Sequence, residues 1–157
     1  MTIVMGTDTH PPDMIQNMQI GLLTARIAEG KPDAVRAGDL YDAATLGGAT
    51  ALGRSDLGRL ARGARADLVV IALDDPAMGQ IIDPIQTIVL SGCGRDVRTV
   101  VIDGRFVMED GAIPGVDHEA FRTRAQFQFD RLVAQYPDRT IGHPPVHAIF
   151  GSTYPVC

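Results

Sequence analysis

Thr2-Ile3-Val4-Met5-Gly6-Thr7-Asp8-Thr9-His10-Pro11-Pro12-Asp13 is the stretch on which the fold turns. Residues 2–5 are apolar and β-prone, and turn-forming residues follow at once. A short run of nearly continuous apolar residues predicts a strand buried on both faces. A buried strand at residue 2 needs neighbours on both sides. The expectation is therefore a chain that opens in the middle of a larger sheet and forms the end of something larger. Pro11-Pro12-Asp13 then predicts a helix start, with proline in the first turn and a carboxylate at the positive end of the dipole. Met14, Met18 and Leu22, with Ile15, Leu23 and Ile27, make one apolar stripe at helical spacing, and Gly30 ends it.

Working outward, residues 37–52 are rich in Ala and Leu. The pair Gly47-Gly48 in that run predicts two short helices packed closely. Gly53, Gly58 and Gly63 punctuate a polar, Arg-bearing connector. Residues 66–72 predict a strand buried on both faces for most of its length. Residues 85–90, after Asp83-Pro84, have no decided type. Residues 97–102 and 105–108 flank Asp103-Gly104, the signal of a tight hairpin with a primed turn. Helical spacing returns over residues 117–136, with Phe121, Ala125, Phe129, Leu132, Val133 and Tyr136 on one face. Pro137, Pro144, Pro145 and Pro155 predict an extended, irregular tail.

Composition excludes several classes. At 157 residues the chain suits one domain or slightly more, and it falls short of the roughly 250 residues of a complete (β/α)8 enzyme. An apolar fraction of 45% with 21% charged residues supports a packed core. Net charge is −5, and the arginines form no basic stripe, which argues against nucleic acid or an anionic membrane surface. The longest apolar run, residues 68–73, is far below a membrane span. No secretory pattern opens the chain, and Cys93 and Cys157 make neither a disulfide framework nor a metal spacing. Reduced thiols in a cytoplasmic protein are expected.

Asp8 follows the predicted strand directly. Ligands of parallel α/β folds bind at the carboxyl ends of strands, so a carboxylate there suits metal or acid–base work. By position alone, an Asp that bonds its own turn or caps the next helix is the simpler account. His10, two residues on, stands open between a second-layer role and a ligand-contacting one. His118, His143 and His147 are scattered and read as exposed. Ser55, Ser91 and Ser152 lack a nucleophile frame, and Cys93 reads as an exposed loop thiol without a histidine near it in sequence.

Four pieces then stand in an order and spacing that resemble a known family. They are Gly6-Thr7-Asp8-Thr9 with Pro11-Pro12-Asp13-Met14, and Ala43-Ala44-Thr45-Leu46-Gly47-Gly48-Ala49-Thr50-Ala51-Leu52-Gly53. The third is Asp56-Leu57-Gly58-Arg59-Leu60 with Gly63-Ala64-Arg65-Ala66-Asp67-Leu68-Val69-Val70. The last is Val97-Arg98-Thr99-Val100-Val101-Ile102-Asp103-Gly104-Arg105. Together they resemble the C-terminal portion of amidohydrolase-superfamily enzymes, in the chlorohydrolase and cytosine/adenosine/guanine deaminase-like branch. The resemblance covers residues 1–136, and more weakly 139–154.

The resemblance implies an α/β fold: the last strand–helix unit of a (β/α)8 barrel, part of a small β-sandwich and a final helix. Residues 1–56 would end the barrel, 57–111 would be the C-terminal share of the sandwich, and 112–157 a closing helix and tail. It implies that Asp8 is the metal-binding aspartate at the end of the eighth strand, bonding a metal-bound water and shuttling its proton to the leaving group. His10 would touch substrate from the loop above. The implied reaction is hydrolysis of C–N (non-peptide) or C–Cl bonds of nitrogen heterocycles, with zinc or iron as the divalent metal of the complete enzyme. The family's other ligands, histidines on the first, fifth and sixth strands, have no counterparts here. A site of this kind needs about three protein ligands, so the isolated chain is expected to bind no metal tightly and to be inactive. The expected partners are a small-molecule substrate and either the missing N-terminal barrel portion or a second copy. The contact would run through Ile3, Val4, Met14, Met18 and Leu22. A non-catalytic interaction or oligomerisation module, or a gene remnant, is the alternative; an independent enzyme built on Cys93 is remote.

Overall fold

Asp13 starts the first helix by offering its Oδ1 to the N–H groups of Ile15 (3.0 Å) and Gln16 (3.1 Å), two of the donors every helix start leaves unpaired. In the computed structural model, which describes residues 2–10 and 12–154, this helix, α1, runs Met14–Glu29. Gly30 closes it in the left-handed region at φ 65°. The expectations that fell on Pro11, Pro155 and Cys157 lie outside the described residues.

The order of elements after α1 is α2 (Ala37–Asp42), a π-turn (Ala43–Gly47), α3 (Gly48–Ala51), β1 (Leu68–Ile71), α4 (Pro84–Ser91), β2 (Val97–Ile102), β3 (Arg105–Met108), α5 (His118–Arg139) and α6 (Val146–Ile149). The chain divides into two compact units, Met1–Pro114 and Gly115–Cys157.

In the first unit, Ile15, Met18 and Leu22 of α1 pack against Ala37 and Leu40 of α2 and Ile88 and Val89 of α4. Leu22 and Val89 are fully buried. This arrangement corrects the anticipated stripe. Met18 and Leu22 are core, so they present no surface to a partner, while Leu23 and Ile27 of the same stripe are exposed. The reason is that α2 and α4 both reach the one face of α1 that carries Ile15, Met18 and Leu22. Ile20, Leu23 and Ile27 remain as an apolar strip in solvent, with Ile3 and Val4 also exposed. The segment of undecided type is helix α4. Asp83 caps it by accepting the N–H of Ile85 at 3.0 Å, and Pro84 occupies its first turn.

Gly47-Gly48 do not break residues 37–51 into two helices. Both glycines keep helical angles (φ −59° at each), and the run passes through them by widening into the π-turn. Hydroxyls of Thr45 and Thr50 add bonds to the carbonyls of Tyr41 and Leu46, each 2.8 Å, along the same run.

The sheet is three-stranded and antiparallel in the order β1-β2-β3. Asp103-Gly104 make the anticipated tight turn, both with positive φ (50° and 76°), as a primed turn requires. Arg65 and the Asp67 carboxylate both bond Asp103, tying the connector to the hairpin. The burial expected of residues 66–72 is overturned: Val69 and Val70 are exposed. β1 is an edge strand of four residues, so its two faces lack the covering layers a continuous apolar run anticipates. The strand expected at residues 2–5 is likewise not formed: the segment has no regular secondary structure and pairs with no strand among the described residues. A ladder needs a neighbouring strand, and the only backbone bond described for this segment runs from Met5 N–H to the carbonyl of Ala43 (3.1 Å), in the π-turn.

The second unit is α5 followed by a return of the tail. Asp117 caps α5 through bonds of 3.0 Å from the N–H groups of Glu119 and Ala120. The helix continues through Pro137 to Arg139, three residues beyond the expected end. Phe121, Phe129, Leu132 and Tyr136 on the anticipated apolar face are exposed. The tail is less extended than expected: it forms α6 and places Phe150 edge-on to Tyr136, with ring centroids 5.2 Å apart. No helix among the described residues is long and apolar enough to cross a membrane.

Candidate functional site

Asp8 sits six residues before Met14, the first residue of α1, and its backbone is left-handed at φ 50°. Outside glycine that conformation is uncommon, although Asp tolerates it better than most residues. Its carboxylate is exposed, and Oδ1 accepts the hydroxyl of Thr9 at 3.1 Å. Thr7 directs its own hydroxyl to the Asp8 carbonyl at 3.4 Å. The turn thus presents a charged carboxylate to solvent rather than spending it as a cap; the cap of α1 is Asp13. His10 is exposed two residues further on, and among the described residues no hydrogen bond joins it to Asp8.

Asp13 is the residue of this region whose full role the sequence left unread. Besides capping α1 through Oδ1, its Oδ2 accepts the N–H of Gly94 at 2.8 Å. One carboxylate therefore joins the entry of α1 to the turn at residues 92–94, eighty-one positions away. The Pro-Pro-Asp pattern carried the capping signal; no local signal carried Gly94. In that same turn Cys93 is half-buried, not the exposed thiol anticipated, and its N–H donates to Asp96 Oδ2 at 2.7 Å. The bond draws the turn back against Asp96 and the Asp13 contact, which shields the thiol. His118, His143 and His147 are exposed, as read from sequence.

A second feature has no counterpart in the sequence reading. Leu46, Leu52, Leu57, Leu60, Val69 and Val101 line an open groove of about 720 Å³ between the helical run and the sheet. Its lining suits the packing of further apolar groups more than polar chemistry.

Two aspartates are lowered, both through arginine. Asp56 is held well below the usual carboxylate range, first by the bidentate Arg54 guanidinium (2.7 Å to each oxygen) and further by Arg65 at 3.6 Å. Asp39 is lowered by the side-chain hydrogen bond from Arg36. Both pairs are exposed, and they brace the connector and the start of α2 rather than assemble a reactive centre.

The donor set for a metal does not fit a complete site. No group of three or more His, Cys, Asp or Glu side chains among the described residues is placed to hold an ion, whereas a catalytic zinc takes about three protein ligands. Asp8 can supply one.

The amidohydrolase family model matches residues 1–107, which include Asp8, the π-turn and the sheet. A 5-methylthioadenosine/S-adenosylhomocysteine deaminase of Halobacterium salinarum is 32% identical over 139 residues, covering 86% of this chain and 32% of its own length. Among solved structures, a zinc-bound adenosine deaminase of Xanthomonas campestris superposes with a TM-score of 0.71 at 26% identity, over 76% of this chain and 27% of that one. The zinc complex of an atrazine chlorohydrolase from Arthrobacter aurescens gives 0.63 at 26% identity, over 72% and 25%. The chain thus spans about a third of the length of the curated relative and about a quarter of the solved structures. With the motifs in order, the α/β architecture shared and the family model matched over more than half its residues, the chain belongs to the amidohydrolase family.

Proposed function

We propose that this chain supplies the C-terminal part of a hydrolase that adds water to an electron-poor ring carbon of a nitrogen heterocycle. Ammonia leaves in the C–N case and chloride in the C–Cl case. The observation that carries this reading is Asp8: exposed, left-handed, free of a capping duty and inside the family match. In the complete enzyme Asp8 contributes one carboxylate to a divalent-metal site and takes up a proton from the attacking water. His10 contacts substrate from the adjoining loop. Residues 1–56 belong to the barrel, 57–111 to the sandwich and 112–157 to the closing helix and tail. The partner is the remaining barrel portion, and the exposed strip of Ile3, Val4, Ile20, Leu23 and Ile27 supports its docking. Alone, the chain holds no tight metal and turns over no substrate.

The test pairs this chain with a barrel polypeptide taken from the Halobacterium salinarum deaminase without its matching third. Ammonia release from 5-methylthioadenosine and chloride release from atrazine are followed. Wild-type chain is expected to restore one of these activities and Asp8→Asn to abolish it. Equimolar zinc after dialysis, with turnover by the chain alone, would refute the incompleteness. Equal activity of Asp8→Asn would remove Asp8 from the chemistry.

A further inference from the structure

We propose that Gly47 is a positioning residue for Asp8, because the π-turn it closes is the seat that holds the Asp8-bearing segment. This rests on the reading of Asp8 given above. Three observations carry it. A π-turn takes backbone groups out of the regular helical ladder, and here the carbonyl of Ala43, its first residue, accepts the N–H of Met5 at 3.1 Å. At the other end of the turn, a Cβ placed on Gly47 would collide with the carbonyl oxygen of Ile3. That neighbour is backbone, so it can give way only if the segment lifts. The Met5 side chain reaches α1, where a Cβ on Gly21 would come within 3.0 Å of its end. Residues 3–5 are therefore held against the π-turn by their backbone, with the Met5 side chain reaching α1, and Asp8 with its left-handed backbone lies three residues beyond Met5.

Gly48 is the internal control. It has the same helical angles as its neighbour, and a Cβ there meets nothing within 4 Å. Gly48→Ala relieves a glycine in a helix, whereas Gly47→Ala displaces residues 3–5 and frees the loop that follows. If Gly47 mattered only as a helix residue, the two substitutions would act alike.

The experiment uses amide spectra and hydrogen exchange of the full 157-residue chain. In Gly47→Ala, the Met5 amide is expected to exchange about fivefold faster or more, the factor one lost hydrogen bond carries. The amide signals of Asp8 and Thr9 are expected to shift, while those of Leu22 and Val89 keep their protection. Gly48→Ala is expected to leave all five unchanged. Met5→Pro, which removes the donor, is expected to move Asp8 and Thr9 as Gly47→Ala does. Unmoved Asp8 and Thr9 signals in Gly47→Ala overturn the proposal, and so does an equal displacement in Gly48→Ala. If Gly47→Ala loses protection at Leu22 and Val89, Met5→Pro decides: unmoved Asp8 and Thr9 signals there overturn it as well. These spectra involve neither metal nor turnover, so their failure is distinct from failure of Asp8 in the complementation assay.

Discussion

Replacing Asp13 separates two jobs that one carboxylate performs. Its Oδ1 caps α1 through Ile15 and Gln16, and its Oδ2 takes the N–H of Gly94 at 2.8 Å. Loss of an N-cap aspartate costs about 1 kcal/mol. The bond to Gly94 is partly solvated and is worth about another 1 kcal/mol, at the low end for hydrogen bonds to a charged group. Asp13→Ala should therefore destabilise the first unit by about 2 kcal/mol, a factor of roughly thirty in its opening equilibrium. Asp13→Asn keeps a capping oxygen, since Asn caps as well as Asp. Its amide nitrogen would then face the Gly94 N–H, donor against donor, so only the second contribution of about 1 kcal/mol is lost. The measurement is native-state hydrogen exchange at Leu22 and Val89, the fully buried residues that report opening of this core. The reasoning is refuted if Asn costs as much as Ala, because the cap would then not be separable from the long-range bond. An Ala cost well below 1 kcal/mol refutes it equally.

The remaining predictions concern the core, acid and metal. Leu22→Ala, at a fully buried site between three helices, should cost about 3 kcal/mol, and Ile27→Ala, on the exposed strip, within about 0.5 kcal/mol of zero; exchange at Val89 measures both. The carboxyls of Asp39 and Asp56 are lowered in the folded chain, so their contribution is complete above the ordinary carboxylate pKa and is lost as pH falls below it. An acid titration should show that loss below about pH 4, shallower in high salt because both pairs are exposed, and shallower again in Asp56→Asn. A strong chelator should leave the thermal unfolding of the isolated chain unchanged, since no ligand cluster stands among its described residues; a fall in the midpoint would show a metal held after all.

What could be read from the chain is what neighbours along it decide. The α1 start and stop at Asp13 and Gly30, the primed turn at Asp103-Gly104, the long helix from Asp117 and the order of the family motifs all depend on groups within a few residues of one another. Asp8 was singled out on the same footing, from its place after an apolar run and within Gly6-Thr7-Asp8-Thr9.

Burial and pairing were decided elsewhere. The apolar residues 2–5 have the composition of a buried strand, but a strand exists only through a partner, and here the segment rests on the π-turn instead. Val69 and Val70 carry the same propensity and lie exposed on an edge. Met18 and Leu22 were separated from Leu23 and Ile27 by where α2 and α4 arrive, and Asp13 found Gly94 across the fold. Local sequence sets the backbone because capping, turn geometry and helical spacing act over a few residues. Which apolar face is covered, and which carboxylate is left open to solvent, depends on surfaces brought together from distant parts of the chain, and only the tertiary structure decides them.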